Sequence, residues 1–119
     1  MLGRFVAAAV AAFLVLAPVA ASAHAVLVWS SPAGKSTVTG PEQDATLRFN
    51  SRIDAARSKL SLKGPDGVKA LEIKAGKTEA ELTSHLSNLV PGKYVLHFDV
   101  LSIDGHISRG DLPFTVGAP

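Results

Sequence analysis

Two kinds of apolar pattern divide the chain. From Phe5 to Leu16 apolar residues run unbroken, whereas beyond residue 24 they come in short stretches that alternate with polar ones. Alternation at period two marks strands with one buried face. Tyr94 to Leu101 is the clearest case: Tyr94, Leu96, Phe98 and Val100 fall on one face, with Val95, His97, Asp99 and Leu101 on the other. Leu47 and Phe49 flank Arg48 within Thr46 to Phe49, Leu60 and Leu62 alternate with Ser61 and Lys63, and Leu71 and Ile73 alternate with Glu72 and Lys74. Leu112, Phe114 and Val116 form a last strand, in which Pro113 suits an edge or a place where its nitrogen faces away from a partner. Ala25 to Trp29 is an opening β-branched run, closed by Ser30 to Gly34, and Glu79 to Thr83 is a weaker, more polar candidate. Gly64-Pro65-Asp66-Gly67 reads as a tight turn. Only Ile53 to Lys59 has a helical pattern, of one turn at most.

Leu89-Val90-Pro91-Gly92-Lys93-Tyr94 places a leucine, a Pro-Gly turn and a tyrosine at a strand entrance. This resembles the tyrosine corner of immunoglobulin-like sandwiches. About seven short strands at close spacing predict an all-β fold, an immunoglobulin-like β-sandwich or Greek-key barrel.

The unbroken run has a different explanation. Arg4 precedes it, Pro18 ends it, and Ala21-Ser22-Ala23 is the small-x-small pattern that signal peptidase accepts. A bilayer span needs about 20 apolar residues, so residues 1–23 read as a cleaved secretory signal rather than an anchor. The single arginine fits general export rather than a twin-arginine route. Residues 24–119 are then one domain of 96 residues with a single core, expected to be monomeric and not embedded in a membrane. Without Arg4, eleven basic residues face ten acidic ones. That balance supports no electrostatic case for nucleic acid or anionic lipid. Cysteine is absent and the only methionine is Met1, so the mature domain has no disulfide and no soft ligand for Cu(I).

Cleavage after Ala23 changes the chemistry of His24. An amino-terminal histidine offers its α-amine and ring Nδ1 to one ion, and the amine, with a reference pKa of about 7.7–8.0, loses its proton to a metal near neutrality. An amine–imidazole chelate with further nitrogen or oxygen donors suits tetragonal Cu(II). Asp104-Gly105-His106 supplies the rest: in an extended segment residues two apart point to one side, and Gly105 permits a tight backbone approach. His24, Asp104 and His106 together make an N3O set for one Cu(II) ion. Taken alone, Asp104-Gly105 is also a common turn dipeptide, and a histidine after it is an ordinary loop residue.

The whole mature stretch resembles the CopC family of periplasmic copper-resistance proteins. The resemblance runs from His24-Ala25-Val26-Leu27 and Ser31-Pro32-Ala33-Gly34 through Thr46-Leu47-Arg48-Phe49 and Pro91-Gly92-Lys93-Tyr94-Val95 to Ser102-Ile103-Asp104-Gly105-His106, Gly110, Phe114 and Val116. It implies a Cu(II) site at His24, Asp104 and His106, a role as periplasmic carrier or buffer rather than enzyme, and a CopD-type inner-membrane importer as partner. Two departures stand out. The Met-rich Cu(I) site of some members is not expected, and Phe98 and Asp99 stand where a Trp-Arg pair often precedes the Asp-Gly-His segment.

The other candidates have plainer readings. His97 is expected on the sheet surface or behind a ligand, His85 in a solvated loop, Trp29 in the core, and Arg48, Arg52 and Arg57 on the surface. Two further functions compete with a carrier: a copper histidine-brace oxidase resembling lytic polysaccharide monooxygenases, and an immunoglobulin-like structural domain without metal. A carboxylate bound directly to the ion, as Asp104 would be, favours Cu(II) and disfavours the redox cycling that an oxidase needs.

Overall fold

The computed structural model describes residues 25–118. The expected signal segment and His24 therefore lie outside the described residues. The strands are β1 (Leu27–Ser31), β2 (Thr37–Thr39), β3 (Gln43–Phe49), β4 (Lys59–Gly64), β5 (Gly67–Leu71), β6 (Lys74–Ala75), β7 (Glu81–Leu86), β8 (Gly92–Leu101) and β9 (Ile107–Gly117), with one 3-10 turn at Ala55–Arg57. They form a four-stranded sheet of order β1-β3-β7-β6 and a five-stranded sheet of order β2-β9-β8-β4-β5. β1 and β2 fall in different sheets, and β2 lies parallel to β9 while the other pairs are antiparallel. This strand order is that of an immunoglobulin-like sandwich.

The alternating positions meet between the sheets. Leu47 and Phe49 of β3, Leu60 and Leu62 of β4, Tyr94, Leu96, Phe98 and Val100 of β8, and Leu112, Phe114 and Val116 of β9 are all buried in one core. Each fully buried leucine contributes roughly 1.5–3 kcal/mol relative to exposure. The tyrosine corner is present: Tyr94 Oη donates to the Val90 carbonyl at 2.8 Å and accepts from the Val90 N–H at 2.9 Å. Gly64 and Gly67 pair across the tight turn between β4 and β5.

Elsewhere the structure departs from the one-dimensional pattern. Trp29 is not a core residue; it is 47% exposed. Leu27 pairs with Phe49 but Trp29 with Arg48, so β1 carries a bulge at Val28. The extra residue reverses the phase of the strand, and Val28 and Trp29 both end outside. The guanidinium of Arg48 then lies 4.9 Å from the Trp29 ring centre. Arg48 also pairs through Nε with the Glu81 carboxylate at 2.8 Å, so it covers a buried acid rather than simply decorating the surface. Glu81 opens β7, which occupies Glu81–Leu86 instead of Glu79–Thr83 and lies between β3 and β6 with Leu82, Ser84 and Leu86 buried. Leu71 and Ile73 do not share a strand, because the chain crosses from one sheet to the other between β5 and β6. Pro113 lies opposite Val95 in β9, and its carbonyl accepts from the Lys35 N–H at 2.6 Å. In an antiparallel ladder a residue's nitrogen and carbonyl face the same neighbour, so the missing donor faces away from β8.

Candidate metal centre

Ser102 to His106 join β8 to β9 in a tight hairpin at one end of the sandwich. The base of the hairpin is fixed first. Asp54 N–H donates to the Leu101 carbonyl at 2.8 Å, Ile103 N–H to the Arg52 carbonyl at 3.0 Å, and Leu101 N–H to Ser58 Oγ at 3.0 Å. The turn is then closed by Ser102 N–H to the His106 carbonyl at 2.8 Å and Gly105 N–H to the Ser102 carbonyl at 2.9 Å. Asp104 and His106 do come together, but not by strand alternation. The turn curls the chain so that the Asp104 carboxylate folds back on residue 106. Gly105 has φ of +94°, and a Cβ added there would meet nothing within 4 Å. Glycine is needed at that position for its backbone conformation, not for a close approach.

Among the described residues, the donors at Asp104 converge on one oxygen. Its Oδ1 accepts from Ser102 Oγ, from the His106 N–H at 3.2 Å, and stands 3.3 Å from His106 Nδ1. The Ser102 hydroxyl, followed by the His106 N–H, holds the Asp104 carboxyl below the usual carboxylate range. Its second oxygen takes no part in these bonds. Ser102 is only 2% exposed, so its hydroxyl is a fixed element of the turn.

The first described residues are tied to the same end. Val26 N–H donates to Asn50 Oδ1 at 2.8 Å, and Asn50 N–H donates back to the Val26 carbonyl at 2.9 Å. Two residues on, the Arg52 carbonyl takes the Ile103 N–H. Residues 50–52 thus connect the segment following His24 with the segment preceding Asp104, and Ala25 is anchored in the core at 4% exposure. Sequence reasoning missed Asn50 and the part played by Ser102. A lone Asn after a strand gives no sign of its partner, although a serine two residues before Asp-Gly is a recognisable turn signal.

The remaining histidines are separate from this end. His85 lies on β7, not in a loop, with Nδ1 2.6 Å from Asp44 Oδ1 and Nε2 2.8 Å from Glu42 Oε1. His97 is on the outer face of β8, with Nδ1 2.6 Å from Asp111 and Nε2 3.4 Å from Asp99. Asp99 is also paired with Arg109 Nε at 2.8 Å, so a cation on the neighbouring strand offsets its charge. Among the described residues no three His, Asp or Glu side chains form a metal cage.

Fold and hairpin together define a class: small β-sandwich proteins that present donor side chains on an end loop. The sequence matches the CopC domain over residues 27–117, and the chain belongs to the CopC family. A crystal structure of CopC from Methylosinus trichosporium OB3b is similar at a TM-score of 0.71 and 36% identity, covering 79% of this chain and 94% of that one. PcoC, a methionine-rich copper resistance protein from Escherichia coli, matches at a TM-score of 0.64 and 25% identity over 79% of this chain and 99% of that one. Protein YobA of Escherichia coli K12 is 31% identical over 98 residues, 79% of each chain. The copper transport protein CutJ of Bacillus subtilis is 27% identical over 112 residues, which are 88% of this chain but 20% of CutJ. CopC-family proteins are periplasmic copper-binding carriers, not enzymes, and membership makes this a protein of copper resistance or transport. The oxidase and metal-free structural readings give way to it.

Proposed function

We propose that the protein loses residues 1–23 on export and carries one Cu(II) ion in the periplasm, held by the α-amine and imidazole of His24 with Asp104 and His106. The observation that supports this most directly is the 50–52 bridge, which fastens Val26 and Ile103 to one short segment. Asp104 and His106 alone are too few donors for a tight site, and a chelating terminus supplies the two nitrogens they lack. Hard and borderline donors favour Cu(II) over Cu(I), and the contrast with methionine-rich PcoC points the same way, since Met1 is this chain's only methionine. Handing copper to a CopD-type importer fits the similarity to CutJ, in which a matching stretch is one fifth of a longer copper transport protein.

Intact mass of the exported protein followed by paramagnetic resonance with Cu(II) tests the assignment. The mass should begin at His24, and the spectrum should show equatorial nitrogen. His24→Ala and His106→Ala should each nearly abolish binding. Asp104→Ala should weaken it less, because water replaces a carboxylate oxygen, and His85→Ala should leave it unchanged. A terminus at Ala25 or later, or an unaltered spectrum in His106→Ala, would sink the site.

A further inference from the structure

His85 is held in a way that fixes its protonation state. Its two ring nitrogens each meet a carboxylate oxygen, Asp44 at 2.6 Å and Glu42 at 2.8 Å. A carboxylate only accepts, and a neutral imidazole has one donor nitrogen. Both contacts are satisfied at once only by the imidazolium. The three groups also come from different parts of the chain. Asp44 is in β3, opposite His85 of β7, and Glu42 precedes β3. The other Glu42 oxygen accepts from the Asn88 N–H at 3.3 Å, and Leu89 N–H donates to the Pro41 carbonyl at 3.0 Å nearby. β3 runs from this cluster to Asn50, so the cluster sits at the end of the sandwich opposite the Ser102–His106 hairpin.

We propose that Glu42, His85 and Asp44 form an acid-fastened clasp, which ties the entry of β3 to β7 and the Asn88 turn more firmly as the surroundings become mildly acidic. The cations facing the cluster do not undo this. Lys69 of β5 is committed to the Ser87 carbonyl at 3.2 Å, and Lys74 of β6 stands across the adjoining groove together with Glu72. Hydrogen bonds from Asp44 and then Glu42 raise the His85 pKa, and the His85 hydrogen bond lowers that of Glu42. A histidine raised above its unfolded value of about 6.5 adds stability that is complete below that value and is lost as pH rises through the folded one. His97 between Asp111 and Asp99 repeats the pattern less closely, at 2.6 and 3.4 Å, so only a difference between proteins isolates His85.

The experiment compares thermal unfolding of the exported protein and its His85→Gln variant, without added metal, from pH 5 to pH 8.5. The melting-temperature gap should be largest near pH 5–6 and close as pH rises. Nitrogen-15 resonances should show both ring nitrogens of His85 protonated at pH 6, with a titration midpoint above the ordinary value. In the Glu42→Gln/Asp44→Asn double variant that midpoint should fall back to it. A gap that does not change with pH, a neutral His85 ring at pH 6, or a midpoint unmoved in the double variant would overturn the clasp. None of these outcomes depends on copper.

Discussion

Ser102 shows how one hydroxyl determines the chemistry of a neighbour two residues away. It is buried, and it donates to the Asp104 oxygen that also takes the His106 N–H. The Ser102→Ala variant therefore leaves Asp104 with its carboxyl returned toward the usual range, which carbon-13 titration of that side chain would detect as an upward shift. Because a depressed carboxyl favours the folded state above its unfolded pKa and the benefit fades as pH falls through the folded value, Ser102→Ala should lose most at neutral pH and least in acid. The same variant should release Cu(II) at a higher pH than the parent. An Asp104 midpoint unchanged by the substitution would remove Ser102 from the site. The sequence made Asp104 and His106 legible as a pair because Asp-Gly-His is short and local. It could not reveal that the pair meets through a positive-φ turn rather than through strand alternation, since both give the same spacing.

At the scale of elements, the β8–β9 hairpin positions the donor loop, and its stiffness rests on one close fit. Phe98 lies opposite Gly110, and a Cβ at residue 110 would stand 2.5 Å from the Phe98 ring. That ring in turn meets Phe49 edge-on, with centroids 5.4 Å apart, so it has little room to withdraw. Gly110→Ala should destabilise the fold by about 1–3 kcal/mol, the usual cost of overpacking, measurable by urea unfolding, and should weaken Cu(II) binding through the displaced hairpin. An unchanged midpoint would mean that the ring moves freely. Thr46–Phe49 of β3, strand β4, Tyr94–Leu101 of β8 and Leu112–Val116 of β9 were readable because each has one buried face and keeps strict phase, whereas Ile107–Asp111 of β9 buries no residue and left no pattern to read. β1 and β7 were misplaced for specific reasons: the bulge at Val28 reverses phase without any change in residue type, and β7 buries Ser84 beside Leu82 and Leu86, a polarity that only its bond to the Glu72 carbonyl at 2.7 Å explains.

For the whole molecule, the core needs no metal to form, although it supports the end hairpin. The buried cluster from Ala25 to Val116 includes neither Asp104 nor His106, so the metal-free domain should unfold as one cooperative unit. Cu(II) at the proposed site should stabilise by mass action, about 2.7 kcal/mol when free ion is one hundred times Kd, a rise in Tm of about 10–20 °C for a domain of this size. Calorimetry with and without Cu(II) should show that rise in the parent and not in His106→Ala. A metal-free chain without a cooperative transition would refute a core that needs no metal. Among the described residues no helix is long and apolar enough to cross a membrane.

The all-β class, the tyrosine corner, the main core residues and the local pairing of Asp104 with His106 were all legible in the residues alone. These are properties of period, composition and short spacing, which survive projection onto one dimension. The arrangement in space alone shows that Asn50 and Arg52 bring Val26 and the end hairpin to one place, that Arg48 covers Glu81 and Trp29, and that His85 lies between Asp44 and Glu42. Each of these joins residues far apart in the chain, with Arg48 and Glu81 33 positions apart and His85 and Glu42 43. Such contacts depend on register and sheet order, and a phase shift of one residue exchanges the faces of a strand. No local pattern encodes which distant strand will be its neighbour.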